Sequence, residues 1–128
     1  MEPLISIQLV EGRWAYRPGD VLECDCQIDA VSPEEVQAVE TSVLWYTEGK
    51  GDEDMAVHHF QRRVSSSDGG QNLCALHRFR TALPNSPLSY DGQIVKLHWC
   101  VRVRVFLGRG KETCGQRPFR LEHPPRRK

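Results

Sequence analysis

The chain has 128 residues, 39% hydrophobic and 27% charged, with seventeen basic residues balancing seventeen acidic ones. That is enough for one domain with a core and too few for two. The composition is too apolar for a disordered chain, and zero net charge gives no global pull towards nucleic acid or an anionic membrane. No apolar run reaches the length of a membrane span. The opening MEPLISIQLVEGRW carries an early acid and no basic n-region, so a signal peptide is not expected and a soluble, cytoplasmic protein is. The cysteines are Cys24, Cys26, Cys74, Cys100 and Cys114. An odd count without a secretory signal points to thiols, not to a disulfide framework.

In chain order, Ile5 to Val10 reads as a short first strand, followed by the turn-rich EGRWAYRPGD, where Pro18-Gly19-Asp20 is the strongest punctuation. From Val21 the chain alternates: Leu22, Cys24, Cys26 and Ile28 share one parity, Glu23, Asp25, Gln27 and Asp29 the other. Period 2 marks a strand with one buried and one wet face, so the two cysteines are expected in the core as small hydrophobes. Ser32-Pro33-Glu34-Glu35 has the composition of a helical turn: a hydroxyl to cap, proline at the first position, acids at the positive dipole end. Val36 to Thr47 reads as a strand with Val39, Thr41, Val43 and Trp45 inward, and Glu48 to Asp54 as an acidic, glycine-bearing loop. Met55 to Val64 is a weaker strand whose inward parity the pattern leaves open. Ser65 to Asn72 reads as a polar hairpin loop, and Leu73 to Leu83 as the next strand.

The longest alternating run follows. Val95, Leu97, Trp99, Val101, Val103, Val105 and Leu107 fall on one parity, and Lys96, His98, Cys100, Arg102 and Arg104 on the other. Gly108 to Lys111 is a tight turn, Glu112 to Leu121 the last strand, and HPPRRK a basic, Pro-rich tail expected to be disordered. Seven strands with turns between them and almost no helix predict an all-β, antiparallel two-sheet sandwich over residues 1–122, with the tail at 123–128.

Candidate chemistry is sparse. Cys24-x-Cys26 is one residue too tight for a zinc knuckle, lies on a strand and has no second pair. His58 and His59, adjacent in a strand, are expected on opposite faces and so not as a joint clamp. Residues 107–113 lack the spacing of a phosphate loop and precede a strand, not a helix. No nucleophile elbow or catalytic triad can be assigned, so no enzyme and no cofactor is expected. The outward basic stripe Lys96, His98, Arg102 and Arg104 and the outward acidic stripe Glu23, Asp25 and Asp29 would pair if their strands were neighbours. In different sheets, the arginines would present a basic surface to an acidic partner.

Tyr16-Arg17-Pro18-Gly19-Asp20-Val21-Leu22-Glu23-Cys24 resembles the "Y-x-P-G-D-x-(hydrophobic)-x-G" segment of arrestin-like domains, with Cys24 where a small glycine is common. Phe79-Arg80-Thr81-Ala82-Leu83-Pro84, followed by Ser89-Tyr90-Asp91-Gly92, resembles the family's "F-x-L-P … S-F/Y-x-G" segment, and residues 99–105 resemble the Val/Arg strand that follows it. The three blocks stand in the arrestin order. The resemblance implies an immunoglobulin-like sandwich, as in arrestins, the retromer small subunit and bacterial sporulation-control proteins, here as one domain where most members have two. It also implies a non-enzymatic adaptor or scaffold with a protein partner.

Binding is then expected through an open sheet edge or end loops, with pairing to a second copy through an edge as one form. The residues expected to carry it are Arg102, Arg104 and Lys96 on the sheet face and Glu48, Asp52 and Asp54 in the loop. The alternatives are a small Cys/His metal-binding protein and a carbohydrate- or ligand-binding sandwich using Trp14 or Tyr16.

Overall fold

The computed structural model describes residues 3–51, 53–65 and 72–123. The strands are β1 (Leu4–Leu9), β2 (Ala15–Tyr16), β3 (Val21–Asp29), β4 (Val36–Gly49), β5 (Met55–Val64), β6 (His77–Ala82), β7 (Tyr90–Asp91), β8 (Val95–Leu107) and β9 (Glu112–Leu121). They form two sheets, β1-β3-β6 and β2-β9-β8-β4-β5, with the short β7 paired to β8. All neighbours are antiparallel except β2 and β9, which run parallel over two residue pairs.

The alternating run is β8, and it lies inside the larger sheet with β4 on one side and β9 and β7 on the other. Trp99, Val101, Val103 and Val105 are buried against Leu22, Cys24, Cys26 and Ile28 of β3, so the two clearest period-2 patterns face each other across the core. Each fully buried aliphatic side chain of this size stabilises the fold by about 1.5–3 kcal/mol. The Trp99 indole N–H donates to the Pro87 carbonyl at 2.8 Å, which satisfies the one polar atom of that ring.

The motif residues are held to one another. Pro18 and Gly19 form a turn closed by Asp20 N–H to Arg17 O at 3.0 Å, and Gly19 sits at φ 86°, which glycine takes without strain. The Asp20 carboxylate accepts from Arg17 N–H and from the Arg13 guanidinium. Those bonds, the Arg17 amide first, hold its carboxyl below the usual range. This turn exchanges backbone bonds with Leu83. Ser89 bonds Leu121 twice, through its amide and its hydroxyl.

Several expectations change. The strand expected from Leu73 runs only His77–Ala82; Leu73 and Cys74 are buried in a turn ahead of it. The loop beginning at Ser65 does not close a hairpin, because β5 and β6 belong to different sheets and the connection crosses between them; residues 66–71 of it lie outside the described residues. Pro33–Glu35 forms a 3-10 turn, but the Ser32 hydroxyl makes no cap. Tyr16, a candidate platform, is buried edge-on to Phe119, while Trp14 is exposed. His58 and His59 do not point to opposite faces. Val43 pairs with His59 and Leu44 with Val57, so His58 is the extra residue of a β-bulge. The bulge turns both rings toward β6. The tail expected to be disordered falls, from residue 124 on, outside the described residues.

Candidate functional site

The two sheets meet along two flanks. On one, β5 lies beside β6. The His58 Nε2–H donates to Ala82 O of β6 at 2.7 Å and the His77 Nε2–H to Gln61 Oε1 of β5 at 3.3 Å. Both acceptors are carbonyl oxygens, so those nitrogens carry the protons. Side chains therefore close this flank.

On the other flank β1 and β9 lie side by side, and among the described residues no hydrogen bond or ion pair links them. β1 is the terminal strand of its sheet, and β9 beyond β2 is likewise free along residues 112–118. Between them runs a groove of about 370 Å³, walled by residues 5–8 and 115–117. Gly115 makes the close approach possible: a Cβ there would stand 3.2 Å from two carbons of the Ile5 side chain.

Free edges normally carry charges, prolines or bulges that deter pairing. β5 has its bulge, Arg62 and Arg63; β6 has Arg78 and Arg80; β2 is two residues long. β1 is LISIQL, uncharged, without proline and paired in unbroken register to β3. Leu4, 65% exposed, adds an apolar end.

The groove has one charge. Arg117 lies opposite Val101, on the inward parity of β9, yet it is exposed because β1 leaves that flank open. Among the described residues no carboxylate lies within ion-pair distance of it. Its positive field reaches the Cys24 thiol. The hydrogen bond that Cys24 donates to the Cys26 sulfur, and then burial, nonetheless hold that thiol firmly protonated.

The residues singled out from sequence lie elsewhere, on the outer face of the larger sheet. Arg104 is paired with Glu112 at 2.8 Å and shares Glu40 with Arg62, so four charges run in a row across β5, β4, β8 and β9. Arg102 gives two hydrogen bonds to Gln116 Oε1. Lys96 pairs with Asp91, and Glu48, expected in the loop, instead lies on β4 opposite Lys96 because that strand runs on to Gly49; it bonds His98. Asp54 is used at home, accepting from Met55 N–H and exchanging bonds with Thr47; Asp52 lies outside the described residues. Lys96 and Glu48 thus stand together at one end of the sheet, with Arg102 and Arg104 further along β8. The acidic stripe is in the other sheet, where Glu23 and Asp25 meet Arg80 and Arg78 of β6.

Arg117 and Gly115 escaped the sequence reading. One signal was available: Thr113, Gly115, Arg117, Phe119 and Leu121 share a parity that ends in core residues, so an arginine there marks a place where the sandwich is not covered.

Two further features were expected to bear on chemistry. Cys24 and Cys26 place their sulfurs 3.9 Å apart in the core. Among the described residues no three His, Cys, Asp or Glu side chains are grouped to hold a metal, and no helix is long and apolar enough to cross a membrane. Trp14, 64% exposed, stands at the rim of a hollow of about 300 Å³ floored by Leu97, Trp99 and Phe119.

Neither a protein-family model nor a curated protein matches the sequence. Among solved structures the chain is similar to Spo0M, a sporulation control protein from Bacillus subtilis, with a TM-score of 0.63 and 14% identity. The match covers 95% of this chain and 50% of Spo0M, so the chain spans about half that protein's length. A likeness at that identity establishes architecture, and the chain has the arrestin-like β-sandwich fold that Spo0M has.

Proposed function

We propose that this chain is a non-enzymatic protein-interaction module, an adaptor or scaffold acting in the cytoplasm. It takes an extended segment of a partner protein as an added strand on β1, with an acidic side chain of that segment on Arg117. The observation that carries the reading is the contrast between the flanks: β5 and β6 are bridged by side chains, while β1 is an unprotected edge facing a groove. Main-chain bonds to β1 would supply affinity, and alternate side chains falling on Ile5, Ile7 and Arg117 would supply selectivity. A second copy fits less well, because pairing β1 with itself would bring two Arg117 cations into one interface and offer neither an acidic group.

The experiment is a titration with short synthetic peptides that alternate valine with glutamate or valine with lysine. The glutamate peptide binds wild type and the lysine peptide does not; Arg117→Glu reverses the preference. Equal binding of both peptides, or an Arg117→Glu variant that behaves as wild type, would sink the reading. Sedimentation of the free protein separates strand capture from self-association, for which a dimer abolished by Arg117→Glu would count against the acidic partner.

The exposed indole of Trp14 at its hollow favours a second reading, a ligand or carbohydrate site at that end of the sandwich. Quenching or shift of tryptophan emission by simple sugars, lost in Trp14→Ala, would support it over strand capture.

A further inference from the structure

We infer that the β5–β6 flank is an acid-released latch: protonation of His59 frees β6 from β5 and opens the side of the sandwich that is closed at neutral pH. The latch is built by the bulge. An unbulged β5 would put one of His58 and His59 on the outer face; the extra residue brings both rings to β6.

The three histidines of the flank differ in one respect. His58 and His77 each donate an Nε2–H to a carbonyl oxygen, and an imidazolium can go on donating in the same way. Protonation leaves those two bonds intact. The His59 ring lies flat on Phe79, with centroids 5.4 Å apart and 7° between planes, and its Nε2 is buried without a hydrogen-bond partner. A neutral ring there leaves a lone pair unmatched at small cost. An imidazolium has, among the described residues, an N–H with no acceptor and a charge with no counter-ion, and that combination is costly where the nitrogen is shielded from solvent.

Among the described residues the surroundings offer no compensation. On β5 itself the neighbours are His58, Gln61 and the cationic Arg63. β6 contributes His77, Phe79 and Thr81; β4 contributes Val39, Thr41 and Val43; Trp99 of β8 is edge-on to His58. β3 presents only the Cys24 and Cys26 sulfurs, since Glu23 and Asp25 face outward and are paired with Arg80 and Arg78. No carboxylate stands on the inward positions of these strands. Burial first, and His58 second, lower the His59 pKa from its ordinary 6.5; burial and then Arg63 lower that of His77. A base lowered in the folded state binds its proton more readily when the chain opens. The flank therefore loses stability as pH falls below about 6.5 towards the folded value, and keeps it above.

The test is amide hydrogen exchange corrected for intrinsic rates, from about pH 7.5 down to about pH 5, a span that brackets free imidazole. In wild type the amides of β5 and β6 lose protection several-fold on acidification while those of β3 and β8 do not. His59→Phe keeps the ring stack and removes the His59 titration, so its β6 protection falls clearly less than that of wild type across that span. His59→Gln, neutral and able to hydrogen-bond, serves as the second variant if the first fails to fold. His77→Gln removes the other lowered imidazole of the flank and still leaves an acid loss, the part that His59 carries. The inference is overturned by an equal loss in both His59 variants, by its disappearance in His77→Gln, or by a loss spread evenly over all strands.

Discussion

Gly115 is the residue where the account of the open flank is most exposed to measurement. Built onto its backbone, a Cβ stands 3.2 Å from both Cβ and Cγ2 of Ile5, inside the ~3.5–4.0 Å at which carbon atoms attract. Gly115→Ala therefore forces β1 outward or Ile5 off its rotamer. Overpacking of this kind costs about 1–3 kcal/mol. Restricting the unfolded chain by removing a glycine works the other way, by roughly 0.5–1 kcal/mol. The balance is a loss of about 1 kcal/mol for alanine, with Gly115→Val nearer the top of the overpacking range. Urea denaturation reads this as a lowered midpoint at unchanged slope. A double-mutant cycle with Ile5→Val assigns the cause, because trimming Ile5 relieves the clash and returns part of the loss. An alanine variant as stable as wild type, or a cycle with no coupling, would refute the claim that Gly115 sets the approach of β1 to β9.

The remaining predictions concern charge and thiols. Glu40→Gln removes the carboxylate shared by Arg62 and Arg104; the urea midpoint falls by the equivalent of about 1 kcal/mol, and less in high salt. Arg78 holds the Asp25 carboxyl below its ordinary range through a hydrogen bond and its charge. The stability from that pair is present above about pH 4 and lost as pH falls through the lowered value, so Asp25→Asn flattens the acid limb of a stability–pH curve. Burial pushes the Cys100 thiol up to about 11 and also raises Cys74, while Cys114 is exposed. Iodoacetamide on the native protein then labels Cys114 alone, by mass spectrometry, and all five cysteines only after unfolding.

The parts of the fold visible in the sequence are those set by local alternation. β3 and β8 announce their buried faces because Leu22 to Ile28 and Leu97 to Val105 repeat every second residue, and such a pattern needs no knowledge of neighbours. What depends on neighbours was hidden. The direction of His58 and His59 is set by a bulge that exists only in the pairing of β5 with β4. Whether Ser65 starts a hairpin or a crossover cannot be read from polar residues, which suit either. The partners of Asp25 are decided by β6 lying beside β3, so a stripe of acids and a stripe of arginines legible in the sequence turned out to belong to different sheets. β2 and β7, two residues each, are shorter than any period. The groove is hardest of all, since a free edge is defined by a strand that is not there; only Arg117, a charge on a core parity, hinted at it.

The central claim is that β1, and no other edge, receives a partner strand. Its most direct measurement is residue-resolved amide exchange of the protein with and without the valine–glutamate peptide. New protection is expected in β1 and in residues 112–118 of β9, with β5 and β6 unchanged. Protection appearing instead on β5 or β6, around Trp14, or nowhere in the chain would contradict it.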